Sequence, residues 1–262
     1  MTQLDENQAL LPEFATGPAT ATGLATQAVI LAGGKGVRLR PYTTLIPKPL
    51  VPIGDTYSIL EIVLRQLAGQ GFTKATLAIG HMGQLIRAYV GDGLQWGIEV
   101  DYVEEDSPLG TIGPVLQILD RLPDDFVLMN GDVLTNLDFA DMLRYHRCFR
   151  AALTVATCAR EHKVDFGVLD ICDRHITNFT EKPTLNYSVS MGVYAVSRRL
   201  LERYAAGLPF GFDELVLDLL DRGTPPQSYA FKGYWLDIGR PDDYDRANEE
   251  FHVLKSSLLP GR

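Results

Sequence analysis

The sequence predicts an α/β domain with a mostly parallel central sheet flanked by helices and a smaller β-rich subregion. Three observations carry that prediction. An apolar run at residues 28–32 is cut off abruptly by Gly33, Gly34 and Gly36, as a buried strand is where it leaves a sheet. Strand-like and helix-like stretches then alternate as far as residue 103, the order that builds parallel sheets. From residue 161 the pattern changes to short strands and turns, which suggests a second subsite built onto one fold. At 262 residues and 46% hydrophobic composition the chain can bury a full core and sits within the range of one such domain. Residues 1–25, rich in Thr, Ala, Gly and Pro, read as a flexible extension. The domain is expected over 26–255, with a first half at 26–160 and a second at 161–240, and 256–262 as a tail.

Each element has its own local reason. Residues 28–32 and 126–129 are wholly apolar and so read as central strands. Ser58 and Glu61 read as a capping box. Ile59, Leu60, Val63, Leu64 and Leu67 follow at helical spacing, and Gly69 and Gly71 mark the stop. A strand at 75–79 ends at Gly80, His81 and Met82, and a helix covers 84–90. Gly91, Asp92 and Gly93 make a turn against which Trp96 packs, and 98–103 alternates as a strand. Glu104, Glu105 and Asp106 read as a solvated acidic loop. A helix at 139–147 and a strand at 151–158 complete the first half; His146 and His162 read as surface residues. Hairpin strands at 165–170, 175–179 and 187–196 follow, then a helix at 212–220, a strand at 228–231 and a helix over 241–253 with proline at its start.

Composition excludes several function classes. A net charge of -9 argues against a general nucleic-acid binder, which needs an extended basic surface. No apolar run approaches the roughly 18 residues a membrane span requires. The first residues carry acids where a signal peptide carries bases, so export is not expected. Cys148, Cys158 and Cys172 form no CxxC pair, which fits neither a disulfide framework nor a structural zinc site and favours a reducing, cytoplasmic setting.

Against that acidic background, Lys35, Arg38, Arg40 and Lys48 follow the first strand without one acid among them. Glycines let the backbone turn sharply, and their N–H groups form a nest for anion oxygens. Arginine adds a planar fork that matches phosphate. The bland alternative, a tight turn with solvated bases, explains a lone Gly-Gly better than four clustered cations. GxGxxG would need glycine at Leu39, and a P-loop would need Ser or Thr after Lys35, where Gly36 stands.

Gly33, Gly34, Gly36, Arg38, Leu39, Pro41, Thr43, Pro47, Lys48, Pro49 and Leu50 fill the pattern GGxGxRLxPxTxxxPKPL. This resembles the signature of sugar-1-phosphate nucleotidyltransferases, and the segment Pro108-Leu109-Gly110-Thr111 leans toward the mannose-type guanylyltransferase branch. The resemblance covers roughly residues 27–251. It implies a Rossmann-like nucleotidyltransferase domain whose first half binds nucleotide and whose second, β-rich half binds sugar phosphate. Leu31, Ala32, Gly33, Gly34 and Gly36 would hold the triphosphate, while His81, Pro108, Gly110 and Thr111 would line the base.

Asp132, at the carboxyl end of a central strand where open α/β sheets bind ligands, resembles one metal aspartate and Asp237 the other. They stand 105 positions apart (237 minus 132) and would share Mg²⁺. Arg38, Lys48 and Lys182 resemble the catalytic cations. Gly167, Glu181, Lys182 and Gly192, within FGV, EKP and MGVY, match the sugar-phosphate half. The implied partners are a nucleoside triphosphate, GTP favoured, and a sugar-1-phosphate, in a homo-oligomer with no nucleic acid or membrane partner. Two other readings stay open: the same chemistry on a cyclitol or other polyol phosphate, and a non-catalytic nucleotide-sugar sensor.

Overall fold

The computed structural model describes residues 26–54, 56–105 and 107–259, so the expected N-terminal extension lies outside the described residues, as do the last three residues of the expected tail. In chain order the strands are β1 (Gln27–Ala32), β2 (Pro52–Ile53), β3 (Tyr57–Ser58), β4 (Lys74–Ile79), β5 (Glu99–Glu104), β6 (Asp125–Asn130), β7 (Val133–Thr135), β8 (Leu153–Lys163), β9 (Val168–Cys172), β10 (His175–Thr180), β11 (Thr184–Ser197), β12 (Gln227–Phe231) and β13 (Trp235–Asp237). The helices are α1 (Ile59–Gly69), α2 (Gly83–Val90), α3 (Gly113–Leu116), α4 (Phe139–Cys148), α5 (Arg198–Leu201), α6 (Phe212–Asp221) and α7 (Pro241–Leu258).

One seven-stranded sheet, in the order β12-β8-β11-β6-β1-β4-β5, organises these elements. β11 alone runs against its neighbours, and every other pairing in the sheet is parallel. β1 sits between β6 and β4 and is apolar on both faces because both are covered. Ala28, Ile30 and Ala32 pack with α1, α2 and α4, whereas Val29 packs on the other face with residues of α3, α5 and α6. A third cluster joins Leu134 and Leu236 to Phe251 of α7 beside Leu39, behind the glycine loop.

Three local readings are corrected. The Ser58 hydroxyl accepts from Glu61 N–H at 3.0 Å, but the Glu61 carboxylate turns instead to Arg65 Nε and the Tyr89 hydroxyl, both at 2.8 Å. Half of the expected capping box is therefore present, because a better-paired arrangement competes for the acid. His146 is not a surface residue: it is buried, with Nδ1 2.8 Å from Thr154 Oγ1 and Nε2 3.5 Å from Asp125. His162 is exposed, as expected. The strand expected at 151–158 runs on to Lys163, pairing with β11 far outside the core.

Candidate active site

The site begins where β1 ends. Gly33 O accepts from His81 N–H at 3.1 Å, and Gly33 lies so close to Gly80 that a side chain would crowd it. Gly36 takes a left-handed φ of 59°, where a Cβ would stand 3.1 Å from both Lys48 Cβ and Thr43 Cγ2. The Thr43 hydroxyl donates to Gly36 O at 2.8 Å and ties the loop shut. The loop thereby folds back over Lys48, which is buried. A cavity of about 250 Å³ results, lined by Gly34, Lys35, Gly36, Arg38, Lys48 and Asp132, with Leu31 and Ala32 at its floor.

The two aspartates meet through strand pairing. β13 pairs antiparallel with β7, setting Asp237 opposite Val133, and Ile238 N–H donates to Asp132 O at 3.1 Å. Asp132 Oδ2 accepts from Lys48 Nζ at 2.5 Å, while its buried Oδ1 has no protein partner. The Asp237 carboxyl reaches solvent, yet the protein crowded around it raises its pKa, and the Asp132 charge raises it further; Lys48 and Arg38 oppose the shift. A Cβ added at Gly239 would lie 3.6 Å from Asp237 Oδ2 and 3.8 Å from Arg38 Nη2, so these two side chains flank Gly239 together.

Beyond Asp132 the first cavity opens into a second of about 630 Å³. Gly33, His81, Pro108, Gly110 and Thr111 line it, joined by residues outside the expected site, among them Glu105, Ser107 and Asn130. Glu105 was expected in a solvated acidic loop. Its Oε2 instead accepts from Leu109 N–H at 3.3 Å, and burial raises its pKa. Its position four residues before the Leu-Gly pair was the one available signal. Gly110, with φ of 77°, is pressed against the chain near Phe210, where a Cβ would come within 2.8 Å of Phe210 O. Phe210 also bonds to Leu109 O and Ile112 N–H, so the loop lining the cavity is braced from the second half of the chain.

The residues expected to hold sugar phosphate divide. Gly192, with φ of 72°, packs on Asn130, where a Cβ would lie 2.7 Å from Nδ2. Gly167 and Glu181 adjoin one another on the exposed β9–β10 hairpin region, and Lys182 Nζ lies 3.9 Å from Glu181 Oε1. None of these three lines either cavity.

A model of the nucleotidyl transferase family matches residues 27–253. The chain belongs to that family. It is 32% identical over 230 residues to a mannose-1-phosphate guanylyltransferase of Mycobacterium tuberculosis, a match covering 85% of this chain and 64% of the relative, so the chain spans a little under two thirds of that protein's length. It is 31% identical to the D-glycero-alpha-D-manno-heptose 1-phosphate guanylyltransferase of Aneurinibacillus thermoaerophilus, over 86% of this chain and 97% of the relative. Among solved structures, HddC from Yersinia pseudotuberculosis complexed with GMP-PN superposes with a TM-score of 0.67 at 28% identity, covering 86% of this chain and 99% of that one. Among the described residues no helix of this nucleotidyl transferase chain is long and apolar enough to cross a membrane.

Proposed function

We propose that the protein is a sugar-1-phosphate guanylyltransferase that joins GTP and a sugar-1-phosphate to give a GDP-sugar and pyrophosphate. The observation that carries this reading is the convergence of Asp132, Asp237, Lys48 and Arg38 at the mouth of a glycine-walled cavity continuous with a second large enough for a base. The guanylyltransferase names of the relatives support the choice of GTP. The unpaired cysteines fit the reducing cytoplasm.

In this reaction a phosphate oxygen of the sugar-1-phosphate attacks the α-phosphorus, forming one P–O bond as the bond to the β-phosphate oxygen breaks and pyrophosphate departs. The nucleophile is already ionised at neutral pH, so no general base is required. What opposes the reaction is repulsion between two polyanions, and positioning with charge neutralisation overcomes it. The backbone N–H groups of 33–36 cradle the triphosphate. Arg38 stabilises charge on the departing pyrophosphate, and Lys48, held by Asp132, stays aimed at the reacting phosphates. Gly192 leaves the sugar room beside Asn130. Lys182 and Glu181 are assigned to the acceptor phosphate and sugar hydroxyls by the resemblance; they stand outside both cavities.

Asp132 and Asp237 fit a divalent cation. The free, buried Oδ1 of Asp132 beside a second carboxylate is an acceptor set without a donor, and Mg²⁺ bound to phosphates uses one or two protein acids. When bound, Mg²⁺ supplies charge neutralisation to the phosphate oxygens.

The test is product formation with GTP, dTTP, CTP, UTP and ATP against a panel of phosphorylated sugars and cyclitols, with and without Mg²⁺. Turnover is expected to be highest with GTP and a manno-configured sugar-1-phosphate. Asp132→Asn and Arg38→Ala are each expected to lose most turnover while remaining folded. No pyrophosphate from any pair would return the chain to the role of a nucleotide-sugar sensor.

A further inference from the structure

Asp237 is placed by a short piece of chain. β7 and β13 are three residues each and pair only with one another, and a two-stranded sheet of that size is marginally stable without support from outside it. Lys48 grips the Asp132 carboxylate, whereas the Asp237 carboxyl takes its position from the backbone of β13. Asn136 N–H donates to Tyr234 O and Ile238 N–H to Asp132 O, so alternate residues of this strand bond toward β7. The carbonyls of Trp235 and Asp237 therefore point off its free edge. Gly239 N–H donates to Asp237 O at 2.9 Å. The support for Trp235 comes from farther away in the chain.

Arg160 of β8 supplies it. Its Nη2 donates to Trp235 O at 3.3 Å, and the guanidinium lies over the Trp235 ring, 4.6 Å from the centroid. Nη1 donates to Cys158 Sγ at 3.5 Å. Among the described residues no carboxylate pairs with Arg160. A planar guanidinium can stack on an aromatic face and still donate from its edge, so one arginine fixes both the ring and the main chain of Trp235. The indole is fastened at its other end as well, Nε1 donating to Met191 O at 2.9 Å, next to Gly192. Trp235 and Asp237 stand two apart on one strand, so their side chains leave the same face roughly 7 Å from each other. Arg160 itself stands opposite Tyr187, where β8 and β11 leave the core as an exposed arm that carries Glu181 and Lys182.

We infer that Arg160 is a positioning residue: by holding the ring and the carbonyl of Trp235, it keeps Asp237 where that acid can share a divalent cation with Asp132. This role rests on the cation site proposed above for the two aspartates. It also ties the root of the arm to that site through one side chain. A packing role alone would cost stability and leave cation affinity as it was.

Mn²⁺ titrated into the nucleotide-free full chain, followed by electron paramagnetic resonance, reads the site without turnover. Arg160→Met should weaken Mn²⁺ binding about 10-fold, the lower end of what losing a residue that orients a metal ligand costs. Its amides at 235–238 should exchange faster while circular dichroism is unchanged. In turnover the Mg²⁺ requirement should rise by a similar factor, with kcat at saturating Mg²⁺ and the KM for GTP within about threefold of the parent. Arg160→Lys keeps a cation at the ring and loses the fork, so it should fall between the two, and it carries the test if the methionine variant does not fold. Arg198→Met, which loses a guanidinium held by Leu122 O and Asp124 at the far end of the sheet, should bind Mn²⁺ like the parent. Parent-like Mn²⁺ affinity in both Arg160 variants, an equal loss in Arg198→Met, or unchanged exchange at 235–238 would each overturn the role of Arg160 alone. A parent chain that binds no Mn²⁺ would overturn the cation site and this role with it.

Discussion

Replacing Lys48 by methionine separates charge from shape at the centre of the site. Methionine keeps most of the apolar stem, so packing against Gly36 and Thr43 is conserved while the cation is lost. Among the described residues Lys48 Nζ is the partner of Asp132 Oδ2 and Oδ1 has none, so the variant strands a carboxylate that is three quarters buried beside Asp237. Stranding one member of a buried pair costs ~3–5 kcal/mol when both are fully enclosed. With side-chain exposures of 10% and 24%, about 1–3 kcal/mol is the reasonable expectation. For a chain of this size that lowers Tm by roughly 2–12 °C. Most molecules therefore stay folded at 25 °C, because domain stability is on the order of 5–15 kcal/mol. Turnover should fall much further, by ~10²–10³, the usual consequence of removing one preorganised charge from the transition state. Steady-state pyrophosphate release at saturating substrates, read beside a thermal melt, gives both numbers. Turnover within about fivefold of the parent, or a loss that simply follows unfolding, would refute the role given to Lys48.

Two further outcomes follow from particular contacts. Gly110→Ala forces a side chain into the left-handed region and against Phe210 O, a strain of roughly 1–2 kcal/mol. The KM for the nucleotide should therefore rise ~5–30-fold with kcat little changed, whereas an unchanged KM would separate this loop from the base. Asp125 is held below its ordinary pKa first by the His146 imidazole, whose Nε2 lies 3.5 Å from it, and then by Arg147, so its contribution to stability is present above the usual carboxylate pKa. That contribution is lost as pH falls through the depressed value. Asp125→Asn should accordingly flatten the acid limb of a Tm-versus-pH profile below about pH 4, and an unchanged limb would rule the pair out as a source of acid sensitivity.

How much was legible in the chain differs between elements for identifiable reasons. The wholly apolar 28–32 and 126–129 runs were readable because a strand covered on both faces leaves no alternation to misread. Glu105 was misread because three adjacent acids look solvated; its burial depends on the loop folding back so that Leu109 N–H can meet it. His146 stands at helical spacing on the buried face of Phe139, Met142 and Leu143, so its burial is legible in the chain, but its partner, the Thr154 hydroxyl, comes from the following strand and is not. The β7 and β13 strands, three residues each, are too short to show an alternation in the sequence, and they form the joint that brings Asp132 and Asp237 together.

The sequence by itself determined the glycine loop at the end of a buried strand, the run of cations behind it and the α/β order. These are local properties: a turn needs its glycines and a buried strand its apolar side chains wherever the rest of the chain lies. Only the tertiary structure decided that Asp237 stands beside Asp132, that Phe210 braces Gly110, that Glu105 faces the larger cavity, and that Glu181 and Lys182 stand apart on an exposed arm. Each of those facts depends on contacts between residues distant in sequence, and the register of such pairings is set by the packing of the whole fold rather than by any stretch of it.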